Sequence, residues 1–231
     1  MTVPLSARPR VLLNCATSLD GRLNPSPSLR KGDFMMSRHA EDPKRMKELR
    51  GGVDAILIGA NNLRLDDPDL AIPEAEHASR RAAGQAEPLR IVITRHGAGL
   101  GRFMKMFDPA LGGEAIVAHS GELTDEARVQ LSPVATLVHK DLPELLRWLK
   151  EERRVKTLLS EGGGILNGAL FSERAVDEMV LTLCPRILGG DDAPTLVSGP
   201  GFAPDEIPDA TLSSVEHLGD ELFLRYQLSW S

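Results

Sequence analysis

The chain has 231 residues, with 27 Lys and Arg against 33 Asp and Glu, a formal charge of −6 and 42% hydrophobic residues. This length and composition suit one self-supporting α/β core, and the acidic balance supplies no clustered cations for nucleic acid or an anionic membrane surface. The two cysteines, Cys15 and Cys184, make no CxxC pair, so neither a zinc site nor a disulfide framework is read, and a reducing, cytoplasmic setting is expected.

Residues 1–9 carry Pro4, Arg8 and Pro9 without an apolar run, which reads as a flexible N-terminus rather than a secretory signal. No uncharged apolar run approaches the roughly 18 to 20 residues that span a bilayer. Short apolar runs at 11–16, 53–59, 89–94, 115–118, 134–138, 155–160 and 179–184 are bounded by turn residues and predict buried strands. Between them, 42–50 predicts a helix with Asp42 as its cap, Pro43 in the first turn, and Met46 and Leu49 on one face. A second helix is predicted over 142–151, capped by Asp141, with Leu145, Leu146 and Leu149 as the buried stripe and Trp148 beside them. Residues 73–88, rich in Ala, Glu and Arg, read as an exposed surface insertion with helical character. The tail segments 211–217 and 221–229, joined through Leu218, Gly219 and Asp220, predict an antiparallel hairpin. Strands alternating with helices and ending in such a hairpin give a single α/β domain over 1–231 with a mixed, mostly parallel sheet flanked by helices.

The segment richest in chemistry is 155–171, where a strand runs through Ser160 and Glu161 into Gly162, Gly163 and Gly164 and then into a helix. Removing every Cβ there lets backbone N–H groups approach a pyrophosphate at a helix N-terminus; the same glycines also suit a tight turn that packs helix on strand. The spacing is not GxGxxG and lies late in the chain, so a Rossmann fingerprint is not supported. Asp20-Gly21 is a turn pair after the first strand, Gly59 closes another strand, and Asp66-Asp67-Pro68 reads either as a turn or as carboxylates facing a polar ligand. His39-Ala40-Glu41 matches only the HxE half of a zinc deaminase signature, because no PCxxC follows.

In order, the segments 14–22, Gly32-Asp33 with Ser37, Glu48-Leu49-Arg50, 53–68, 160–167, Val176-Asp177-Glu178, and 184–190 followed by Ala193-Pro194-Thr195 resemble the reductase of riboflavin biosynthesis. That family includes stand-alone enzymes and the second domain of bifunctional deaminase-reductases. The resemblance covers most of the chain and implies a dihydrofolate-reductase-like fold, a homodimer, NADPH as hydride donor, and reduction of a ribosylaminopyrimidine 5′-phosphate to its ribitylamine. By that likeness Gly59, Asn62, Gly162, Gly163 and Gly164 surround the cofactor pyrophosphate and Ala16 lines the nicotinamide. Thr94 and Arg95 are placed at the 2′-phosphate, where a hydroxyl and a guanidinium would separate NADPH from NADH. Asn14, Asp66 and Glu161 are the candidate catalytic groups around the ribose, with Ser37 and Arg50 on the substrate side.

The chain departs from the family pattern where D[DN]PxLTxR becomes Asp67-Pro68-Asp69-Leu70-Ala71-Ile72-Pro73. The family arginine that helps read the substrate phosphate is therefore Pro73 here, and Asp69 adds a negative charge beside it. Asn61 and Asn62 replace the Gly and Thr of the usual VGxGT. Two rival readings stay open: a same-fold NADPH reductase acting on another heterocycle or carbonyl compound, and a pyridine-nucleotide-binding module without turnover.

Overall fold

The computed structural model describes residues 3–29, 34 and 36–230; Gly32 and Asp33 of the family pattern lie outside them. Nine strands among the described residues form one sheet: β1 (Arg10–Ser18), β2 (Ala55–Gly59), β3 (Leu89–Thr94), β4 (Ala115–His119), β5 (Thr136–His139), β6 (Thr157–Ser160), β7 (Val176–Cys184), β8 (Asp209–Leu218) and β9 (Glu221–Ser229). Their order is β5-β4-β3-β2-β6-β1-β7-β9-β8. Strands β1 to β7 run parallel, and β9 pairs antiparallel with β7 and β8. All seven predicted apolar runs are strands and the predicted hairpin closes the sheet, so the mixed sheet implied by the resemblance is the one found.

Successive residues along the central strands face opposite sides, as strand geometry requires. Leu13, Leu57, Ile91 and Ile116 enter one core, against Leu145, Leu146 and Leu149 of α5 (Leu142–Glu151) and Leu170 and Phe171 of α6 (Gly164–Ser172). Their neighbours Leu12, Ile56, Val92 and Val117 enter the other, against Leu63, Leu70, Met106 and Leu131. Continuous Val, Ile and Leu runs are what a sheet buried on both faces demands.

Asp141 caps α5 in a full capping box with Glu144. The cap expected for α1 (Glu41–Gly51) is corrected: its N-cap is Ala40, which makes no side-chain bond, and the Asp42 carboxylate instead accepts from the Thr182 hydroxyl at 2.5 Å. Residues 73–88 contain α3 (Glu74–Ala82), which is not purely superficial, because Arg80 is buried and donates to the Val53 carbonyl. Two short helices were not expected, α2 (Ala60–Asp66) and α4 (Asp125–Leu131), the latter capped by Thr124, whose hydroxyl oxygen accepts from the Ala127 N–H.

Candidate active site

In an open parallel sheet, ligands sit outside the carboxyl ends of the strands, where the chain order reverses. Here β1 and β2 lie on opposite sides of β6, so the carboxyl ends of β1, β2, β3 and β6 open onto one crevice. A cavity of about 820 Å³ occupies it, lined by Asn14, Ala16, Gly59, Asn62, Asp66, Thr94, Arg95, Glu161, Gly162, Gly163 and Gly164. The fold thus brings eleven of the thirteen expected site residues to one wall. A second cavity of about 590 Å³, between α1 and the β8–β9 hairpin, shares Asn14 and Met46 with it. That one lacks the glycine loop and the strand ends.

The glycine loop packs as the tight turn considered for it. A Cβ on Gly162 would sit 2.8 Å from Leu166, and one on Gly163 would sit 2.8 Å from the Asn62 side-chain oxygen. On Gly164 it would meet the Thr195 carbonyl at 2.3 Å, so only hydrogen fits and the loop closes tightly onto α6. The N-cap of α6, Gly163, makes no side-chain cap, and Gly164, Ile165 and Leu166 of its first turn line the cavity. Orphan N–H groups and the helix dipole form a ready anion cradle. At the far end Thr94 Oγ1 accepts from the Gly97 N–H at 3.0 Å and retains its own proton to donate. Arg95, Arg64 and His96 line the wall beside it. Backbone donors at the centre, flanked by guanidinium groups, are a donor set that fits a phosphorylated dinucleotide.

Glu161 is anchored from behind. Arg50, whose side chain is 3% exposed, donates through Nε and Nη2 to the two Glu161 oxygens at 2.7 and 2.8 Å. Arg50 also reaches the Ala71 carbonyl at 3.2 Å and Asp69 at 3.5 Å. Burial alone pulls this guanidinium down, but the neighbouring carboxylates of Glu161 and Asp69 outweigh it and hold its pKa above the ordinary arginine value. Arg50 is not among the residues that line the cavity; its guanidinium is committed to Glu161, which does line it. Ser37 is displaced from the site in the same way: buried, it donates to the Glu221 carboxylate at 2.6 Å. Both are polar groups satisfied by partners far along the chain, which sequence spacing does not reveal.

The two aspartates of Asp66-Asp67 divide the readings proposed for them. Asp66 faces the cavity. Asp67 caps α2 in the left-handed region at φ 42° and accepts from the Lys105 N–H at 2.9 Å, which makes it a turn former. Cavity residues missed from sequence include Phe34, Met36, Met46 and His96. They stand on loops and on α1 with no motif of their own.

Residues 9–224 match the family model described as the RibD C-terminal domain. The chain belongs to that family. It is 32% identical over 227 residues to the 2,5-diamino-6-ribosylamino-4(3H)-pyrimidinone 5′-phosphate reductase of Methanothermobacter thermautotrophicus, covering 95% of this chain and 98% of the relative. Its fold is shared with a pyrimidine reductase-like protein from Corynebacterium diphtheriae at TM-score 0.77 and 19% identity, covering 98% and 95% of the two chains. Acinetobacter baumannii RibD aligns at TM-score 0.75 and 20% identity over 96% of this chain, which spans 58% of that longer one. Membership in a reductase family makes the cavity the place to look for oxidoreductase chemistry.

Proposed function

We propose that the chain is a cytoplasmic, NADPH-dependent reductase of riboflavin biosynthesis that converts a ribosylaminopyrimidine 5′-phosphate to its ribitylamino counterpart. The observation that carries this is 32% identity over 95% of the chain to a relative named as that reductase, joined to a crevice in which eleven expected residues meet. NADPH supplies a hydride when bound. The N–H groups of the first turn of α6 and the Gly162–Gly164 loop hold its pyrophosphate, Thr94 and Arg95 hold the 2′-phosphate, and the backbone at Ala16 lines the nicotinamide. Asn14, Asp66 and Glu161 orient the ribose portion of the acceptor. Because both Glu161 oxygens already accept from Arg50, Glu161 acts by accepting ribose hydroxyl bonds and not by supplying a proton. Alignment of the reacting carbons is the main contribution asked of such a site.

A specific observation favours a second reading, in which the same machinery reduces an acceptor without a phosphate. Pro73 opens α3, and Arg50 is committed to Glu161 and Asp69. An NADPH-oxidation assay with the ribosylaminopyrimidine 5′-phosphate and its dephosphorylated form separates the readings. Turnover that depends on the phosphate supports the first, turnover indifferent to it supports the second, and tight NADPH binding without oxidation of either supports a non-catalytic module.

We also propose a homodimer. All ten residues of β8 are exposed and include Leu212 at 49% and Val215 at 56%, on the free edge of the sheet. A ten-residue exposed edge strand that carries large apolar side chains invites pairing with another chain. Light scattering should give twice the 25.1 kDa chain mass, and Val215→Asp should give monomer; a monomeric wild type at micromolar concentration ends this proposal.

A further inference from the structure

The wall of the cavity formed by Phe34 and Met36 is tied to the opposite end of the chain. Ser37 donates to Glu221 Oε2 at 2.6 Å across 184 residues, and the Arg38 N–H donates to Glu221 Oε1 at 2.7 Å. Glu221 opens β9 and is 1% exposed. Beside it, the His39 ring lies over the hairpin turn, where a Cβ on Gly219 would stand 2.5 Å from Nε2. From the other side the Arg186 guanidinium covers the Phe34 ring at 4.8 Å. Arg186 belongs to a loop held by Asp20, whose carboxylate accepts the N–H groups of Leu188 and Gly189 at 3.1 and 2.8 Å.

A buried carboxylate needs hydrogen-bond donors, and a buried one that grips two successive residues of a loop fixes both the position and the direction of that loop. Neither Ser37 nor Glu221 lines the cavity, whereas Met36, next to Ser37, does. We propose that Glu221, through Ser37 and the Arg38 amide, is a positioning residue that holds the wall of Phe34 and Met36 against the acceptor. The C-terminal hairpin thereby becomes part of the acceptor site without touching the acceptor. This assignment rests on the reading of the cavity as an NADPH and acceptor site.

The test compares wild type with Ser37→Ala, which removes the bond to Glu221 together with the hydroxyl's local bonds to His39, and Glu221→Gln, which keeps the shape but loses the charge. Steady-state kinetics with the ribosylaminopyrimidine phosphate should show acceptor KM raised about tenfold, the range of one lost charge-assisted bond. The kcat should stay within about twofold and NADPH affinity should be unchanged. Amide exchange read by mass spectrometry without any ligand should quicken at 36–39 in both variants. Variants with native unfolding midpoints but unchanged acceptor KM overturn the proposal, as does unchanged exchange at 36–39. If the wild type fails to turn over the acceptor, the functional reading falls separately, and exchange still decides whether Glu221 holds the wall.

Discussion

Breaking the Arg50–Glu161 pair gives the sharpest test of how this site is built. Arg50→Met leaves Glu161, 9% exposed, with no cation, and leaves Asp69, 48% exposed, in contact with solvent. Removing one partner of a buried pair costs about 3–5 kcal/mol. The cavity-facing edge of Glu161 and the exposure of Asp69 both relieve the stranded charge, so the lower end, about 3 kcal/mol, is expected. Glu161→Gln leaves Arg50 with the Ala71 carbonyl and the more distant Asp69, a loss of about 1.5–3 kcal/mol for charge-assisted bonds. Independent effects would sum to about 5 kcal/mol, a large share of a typical domain stability of about 5–15 kcal/mol. The double variant strands no charge inside, so urea unfolding should find it only about 2–3 kcal/mol less stable than wild type, a coupling of about 2–3 kcal/mol. Non-interacting sites add to within about 0.5 kcal/mol. Additivity of that quality, or a near-neutral Arg50→Met, would refute the view that Arg50 is spent on orienting Glu161.

Gly164→Ala should destabilise the fold by about 1–3 kcal/mol and weaken NADPH binding, because its methyl meets the Thr195 carbonyl at 2.3 Å, whereas Gly59→Ala, with its nearest neighbour at 3.8 Å, should leave stability nearly unchanged in the same melts. Burial pushes the Cys184 thiol up to about 12, with Glu221 and Asp42 adding to the shift. Its stabilising contribution is therefore complete below the free-thiol range near 8.5 and is lost as pH rises toward 12, and a thiol reagent at pH 8 should modify cavity-lining Cys15 long before Cys184. Hydrogen bonds from Ser18, Gly189 and Leu188 bring Asp20 down to about 2. Stability from this group is thus full above about pH 4 and lost as pH falls toward 2, and Asp20→Asn should flatten that part of the melting-temperature profile.

The sheet was legible because its parallel strands are written as short, branched, apolar runs, and for the central β2, β3 and β4 burial on both faces leaves little other choice. Helix α5 was legible because Asp141, Pro143 and Glu144 carry a complete start signal. Helix α2 was not, since Asn61 and Asn62 are weak helix formers in a seven-residue element. In the candidate site, the family resemblance pointed to residues at strand ends and in the glycine loop, and the fold brings them to one cavity because backbone position puts them there. The side chains that fell elsewhere, Ser37 and Arg50, were decided by partners 184 and 111 residues away. Asp42 failed as a cap for the same reason, being drawn across 140 residues to Thr182.

The proposed site divides in the same way. The proposed cofactor half relies mainly on backbone N–H groups, glycines and strand ends, with the Thr94 and Arg95 side chains at its far end. The acceptor half is made of exchangeable side chains, and this chain has exchanged some of them: Pro73 and Asp69 stand where the family resemblance calls for a phosphate-reading arginine and its surroundings. Asp69 uses one oxygen both to accept the Ala71 N–H at 2.9 Å and to approach Arg50. The turn leading to Pro73 is thereby fastened to Arg50. Asp69→Ser would release that contact without removing Arg50 and so lower the negative charge beside it. If the acceptor carries a phosphate in this region, that single change should lower acceptor KM; if KM for a phosphorylated acceptor rises instead, Asp69 is serving the acceptor directly, and the acceptor group it meets is a hydrogen-bond donor and not a phosphate.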